Sequence, residues 1–168
     1  MKSDIIDIAD RRELFVDYFL IDRLDGARLH MHEPAPADTA ITFDAPWEGP
    51  GSGYCTVIHD EDRYRLYYRG WNTAEPATPP VTCYAESRDG RGFERPQLGL
   101  HEWEGSRENN IILIGEGTHN FCPLLDANPE ASESERYKAL ARVGGKNSRL
   151  EHGLAAFVSA DGIRWSMR

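Results

Sequence analysis

The pattern Ser-x-Asp-Gly occurs twice, as SRDG at 87–90 and SADG at 159–162, and the agreement extends beyond the turn. Ser87, Asp89, Gly90 and Phe93 have counterparts 72 positions on in Ser159, Asp161, Gly162 and Trp165. Upstream, DRYRLYYRG (62–70) lines up with ERYKALARVG (135–144), and GYCTVIHD (53–60) with NFCPLLD (120–126). A fixed internal period means that one supersecondary unit is built twice, so whatever folds the first copy must fold the second.

Each unit reads as strands. The apolar runs are short, rich in β-branched and aromatic residues, and separated by turn chemistry. In RYRLYYRG the spacing is nearer two than 3.6, which puts Tyr64, Leu66 and Tyr68 on one face. Asp89-Gly90 and Asp161-Gly162 supply residues that tolerate positive φ, as tight hairpins require. The preceding Ser can hydrogen-bond the turn backbone, and the aromatic that follows can pack beneath it. Four antiparallel strands meandering at a fixed period is the pattern of a β-propeller blade. The predicted fold class is therefore all-β, a propeller with about two blades in this chain: lead-in 1–45, blade one with its connecting loop 46–115, blade two 116–168. ELFVDYFLI (13–21) and ARLHMHEP (27–34) read as two lead-in strands around Asp25-Gly26. Two blades do not close a ring, so the chain is expected to be a fragment or one piece of an assembly, with open sheet edges that invite self-association.

Composition removes other classes. A net charge of −9 argues against a nucleic-acid phosphate binder. No apolar run reaches the ~18–20 residues that span a membrane. Met1–Ser3 followed by DIIDIADRRE is too charged and short for a signal-peptide core, which reads as cytoplasmic unless a leader has been removed. Cys55, Cys83 and Cys122 have no CxxC spacing and read as core residues or free thiols. No Gly-rich phosphate loop, serine elbow or zinc-helix signature is present, and no cofactor is predicted. His30 and His32 share a strand face, but spacing supplies no third metal ligand.

ELFVDYFLIDRLDGARLHMHEP, FDAPWEGPGSGY, the SRDG and SADG turns, GSRENNIIL, and HNFCPLLDANPE followed by ERYKAL together resemble the N-terminal part of bacterial proteins related to glycoside hydrolase families 32 and 43. The resemblance covers nearly the whole chain. It implies a five-bladed propeller, a carbohydrate substrate, and an active site at the funnel-like end of the channel where the innermost strands begin. It also implies an acid in each of blades one, two and three. Two carboxylates flank a glycosidic bond because one donates a proton while the other attacks or activates water. This sequence departs from that pattern. WEGPGSGY (47–54) offers Glu48 slightly upstream of the first position, and THNFCP (118–123) offers Asn120 at the second.

Glu48 and Asp17 are the candidate acids. Glu48 follows Trp47 on a Gly/Pro loop, where the indole could stack on a sugar face or simply anchor the loop. Asp17 lies among apolar residues, where burial would raise its pKa, or it satisfies backbone N–H groups at a strand end. Trp47, Arg69, Trp71, His119 and Asn120 are the candidate sugar-binding residues. For Arg69 and Trp71 a surface Arg–aromatic stack is the alternative, and for His119-Asn120 a strand-capping turn. Asp126 is read as a turn residue, and Asp89 and Asp161, present in both units, as structural. The functional alternatives are general acid/base hydrolysis of glycans and a non-catalytic carbohydrate-binding or structural module.

Overall fold

A computed structural model describes residues 5–75, 77–144 and 149–168; the first four lead-in residues and Pro76 of the 71–80 connection lie outside it. The chain divides into two compact units, Met1–Ala37 and Asp38–Arg168.

The second unit is all-β. Sheet one runs β1 (Gly53–Asp60), β2 (Arg63–Gly70), β3 (Val81–Ser87) and β4 (Ile111–Ile114). Sheet two runs β5 (His119–Leu125), β6 (Tyr137–Val143), β7 (Gly153–Ser159) and β8 (Ser166–Met167). In each sheet the four strands lie in sequence order and every neighbouring pair is antiparallel. No α-helix occurs among the described residues; a 3₁₀ turn at Glu133–Glu135 leads into β6.

The two-residue period of β2 decides the packing. Leu66 and Tyr68 join Val81, Cys83, Ala85 and Ile111 on one face, covered by Ile41, Phe43, Trp47, Phe93 and Trp103. Tyr67 points the other way and joins Tyr84 and Ile112 against Phe121, Ala139, Ala141, Val143 and Phe157 of sheet two. Between the sheets Tyr67, Tyr84, Phe121, Phe157 and Trp165 meet mostly edge to face, with Phe121 and Trp165 centroids 4.9 Å apart. Such aromatic pairs add about 0.5–1.5 kcal/mol each beyond the area they bury. By register, the Leu66/Tyr68 face of sheet one corresponds to the Ala139/Ala141 face of sheet two. Sheet one thus covers on sheet two the face that Ile41, Phe43 and Trp47 cover on sheet one. The opposite face of sheet two carries Leu124, Leu140 and Leu154, which are 51%, 52% and 73% exposed.

The repeated turn is the same object twice. Ser87 Oγ accepts from the Asp89 and Gly90 N–H groups and donates to Asp89 Oδ1; Ser159 does the same for Asp161 and Gly162. Asp89 Oδ1 then accepts from Arg91 and Gly92 N–H, and Asp161 Oδ1 from Ile163 and Arg164 N–H. The connection is longer than a tight hairpin, since the Glu86↔Glu94 bridge encloses Ser87 to Phe93. The anchoring aromatics Phe93 and Trp165 lie in this loop. Gly90 and Gly162 adopt φ of 72° and 74°. A Cβ on Gly90 would meet the Tyr64 ring at 3.3 Å, whereas one on Gly162 would lie 2.6 Å from Tyr67 Oη, inside the core. Gly90→Ala is expected to cost about 1–2 kcal/mol from the left-handed backbone, and Gly162→Ala more. Urea midpoints check this; equal losses would mean that Tyr67 moves aside without penalty.

Two further expectations are corrected. The first strands are offset by 66 residues when read through their partners, so Thr56, not Cys55, corresponds to Cys122. The lead-in segments 13–21 and 27–34 form no strands. Within Met1–Ala37, Leu14, Phe15, Val16, Tyr18 and Phe19 are exposed. A lone two-stranded hairpin is marginal in water, and propensity alone does not hold one together.

Candidate functional site

β1 and β5 enter their sheets through the same irregularity. The ladder slips between Gly53 and Thr56 in one and between His119 and Cys122 in the other. The slip places one residue of each strand in the left-handed region: Tyr54 at φ 54° and Asn120 at φ 58°. Asn tolerates that conformation; a tyrosine there is an outlier of the kind that clusters at functional sites. Bulges of this sort re-aim side chains at a strand end.

Arg69, at the end of β2, sits opposite Gly53. Its Nε and Nη2 both donate to Gly51 O, at 3.0 and 2.6 Å. Its guanidinium carbon lies 4.4 Å from the Tyr54 ring centroid and 4.9 Å from that of Trp71. Nη1 reaches His119 Nδ1 at 3.2 Å, which links the two sheets. Trp71 is itself held, donating from Nε1 to Thr78 O at 3.1 Å and from its backbone N–H to Ser52 Oγ. Burial, followed by the charges of Arg69 and Arg142, lowers the His119 pKa. The exposed side chain of Asn120 makes no hydrogen bond among the described residues. Arg69, Trp71, His119 and Asn120, chosen from sequence, therefore converge at one end of the strands. Tyr54, absent from the sequence candidates, belongs with them: by register it is the counterpart of Asn120.

Trp47 and Glu48 belong elsewhere. The Glu48 side chain is 0% exposed and its carboxylate is saturated. Oε1 accepts from Tyr68 Oη at 2.6 Å and Arg95 Nε at 3.0 Å; Oε2 accepts from Arg95 Nη2 at 2.7 Å and Ala45 N–H at 3.1 Å. Asn110 extends the network, donating to Tyr68 Oη and Tyr84 O, both at 2.7 Å, and accepting from Trp47 Nε1 at 3.0 Å. Burial first, and Glu48 among its neighbours, drive the Tyr68 hydroxyl pKa far above its usual value, so it remains a donor. A carboxylate with four donors is a structural anion, not an exposed acid. Arg95, 47 residues away, is the partner that local sequence did not supply.

Asp17 is likewise not a buried acid. It is exposed, lies in the Met1–Ala37 unit, and its Oδ1 accepts from Phe19 N–H at 2.9 Å. Asp126 serves its turn, accepting from Asn128 N–H and pairing with Lys138. Cys55, Cys83 and Cys122 are free thiols, Cys83 in the core. His30 and His32 meet edge to face with ring centroids 5.0 Å apart, and no group of three or more metal-ligating side chains occurs among the described residues. No helix among them is long and apolar enough to cross a membrane.

The sequence matches no family model and no curated protein. A solved structure, an N-acetylgalactosamine deacetylase from F. plautii in complex with blood group B trisaccharide, is similar at a TM-score of 0.48 and 12% identity. The match covers 74% of this chain and 38% of that one. Similarity at that level assigns this chain neither a fold family nor a ligand.

Proposed function

We propose that the strand ends carrying Tyr54, Arg69, Trp71, His119 and Asn120 bind carbohydrate without hydrolysing it, on two sheets that are consecutive blades of a propeller of the glycosidase type. The observation that carries this reading is the fixed guanidinium of Arg69, packed against Tyr54 and Trp71 and joined to His119 across the sheets. Flat aromatic faces meet sugar C–H groups, while guanidinium, imidazole and amide groups meet hydroxyls. The blade arrangement is supported by the face correspondence: each sheet turns the same face toward the chain segment before it.

Hydrolysis is the weaker reading because it needs a pair of available carboxylates. Glu48 is saturated, and among the described residues no carboxylate contacts Arg69, Trp71, His119 or Asn120. A glycan array followed by calorimetry on the best ligand tests the proposal. Arg69→Ala and Trp71→Ala should each weaken binding at least about tenfold, the loss of a charge-assisted hydrogen bond or of a stacked ring. Aryl glycosides should release no sugar. Turnover that disappears in a folded Glu48→Gln variant would replace binding with hydrolysis.

A further inference from the structure

We propose that Arg69, Arg142 and the imidazole of His119 form a subsite for an acid group, a carboxylate or sulfate ester, on the bound glycan; this rests on the carbohydrate reading above. The repeat places an arginine at the end of the second strand in both sheets. Arg69 pairs with Gly53 and Arg142 with His119, at corresponding positions in the register. The arginines therefore flank the two bulged strand entries, and His119 lies between them in the network: across the ladder from Arg142, and 3.2 Å from Arg69 Nη1. A second Arg–His contact, Arg142 Nη2 to His152 Nδ1 at 3.5 Å, extends the group.

The protonation state follows from the contacts. A guanidinium only donates, so Nδ1 of His119 must accept, which leaves the proton on Nε2 as a donor. The lowered pKa of His119 agrees with a neutral ring beside two cations. Arg69 is half-buried, yet its partners are all neutral: a carbonyl, an imidazole and two aromatic rings. The other half-buried arginines among the described residues, Arg63, Arg65, Arg95 and Arg136, pair with Glu86, Asp60, Glu48 and Asp60. Among the described residues neither Arg69 nor Arg142 has a carboxylate partner. Glu116, before β5, directs Oε2 to the Gly144 N–H. The half-buried charge of Arg69 is stabilised by an anion, and its guanidinium, the exposed one of Arg142 and a neutral N–H donor match the oxygens of a carboxylate or sulfate. On a chain of net charge −9 this concentration of positive charge runs against the average.

The test titrates the whole chain with two matched pairs by calorimetry: an oligogalacturonate with its methyl ester, and a sulfated oligosaccharide with its desulfated form. In one pair the acidic member should bind at least about tenfold tighter, the range for a hydrogen bond to a charged group. That advantage should shrink with added salt and collapse toward unity in Arg142→Gln, whose exposed position leaves thermal stability unchanged. The pair that shows it distinguishes carboxylate from sulfate. Equal affinity within both pairs overturns the acid subsite while sugar binding stands. No binding by either pair or by any neutral glycan overturns both. An acidic preference that survives in Arg142→Gln and in folded Arg69→Gln also overturns the assignment, because the charge read would then lie elsewhere.

Discussion

Arg95→Met is expected to destabilise the protein by about 3–5 kcal/mol, the cost of leaving one member of a buried ion pair behind. Glu48 is fully enclosed and Arg95 supplies two of its four donors. Without the guanidinium, Tyr68 and Ala45 N–H remain, and neither neutralises the charge. The double variant Glu48→Leu/Arg95→Met should recover part of the loss, since removing both partners removes the stranded charge along with the attraction. Chemical denaturation of wild type and both variants measures this. A single variant within about 0.5 kcal/mol of wild type, the range of ordinary surface substitutions, would mean that water reaches Glu48. The same result would reopen Glu48 as a catalytic acid, so the experiment bears on function as well as stability.

At the other end of β1, Asp60→Asn is expected to cost about 2–4 kcal/mol and to blunt acid denaturation; the figure is below the full value for a buried pair because Arg136 is partly solvated. Asp60 joins the two sheets: Oδ2 accepts from Arg65 Nε at 2.9 Å and from the Tyr137 hydroxyl, and Oδ1 from Arg136 Nη2 at 2.6 Å. Burial raises the Asp60 pKa, but Tyr137, Arg65 and Arg136 outweigh it, and the net shift is downward from 3.8. The Tyr137 hydroxyl, pushed up to about 12 by burial and by Asp60, stays protonated as a donor. Since the folded carboxyl titrates below the unfolded one, its stabilisation is complete above the ordinary value and is lost as pH falls through the lowered folded value. Thermal midpoints should therefore drop below about pH 4 in wild type and drop less in Asp60→Asn. Asp161, also lowered because backbone N–H groups and Arg164 outweigh its burial, keeps part of the acid limb in both proteins. An unchanged acid limb in the variant would show that the clamp is not coupled to folding.

How far the sequence could be read depended on how local the deciding interaction was. Ser-x-Asp-Gly is closed by bonds spanning two or three residues, so both copies were legible as one turn. The alternation in RYRLYYRG showed Leu66 and Tyr68 on one face. Arg69 and His119 occupy different positions of the repeat and meet only because folding sets the end of β2 against the start of β5. Tyr54 was missed because a bulge is a matter of pairing, and nothing in Gly-Tyr-Cys announces a left-handed tyrosine. The lead-in failed differently: its apolar residues have strand propensity, but among its described residues no strand forms.

The all-β class, the grouping of the strands into two sheets and the chemistry of their turns were written in local pattern, because period-two alternation and positive-φ glycines act within a few residues. Which acids are free and which are bound was decided only in three dimensions. Glu48 meets Arg95 and Asp60 meets Arg136 across separations of 47 and 76 residues. A carboxylate's charge looks the same along the chain whether it faces solvent or a guanidinium; its role depends on the donors that folding brings to its oxygens.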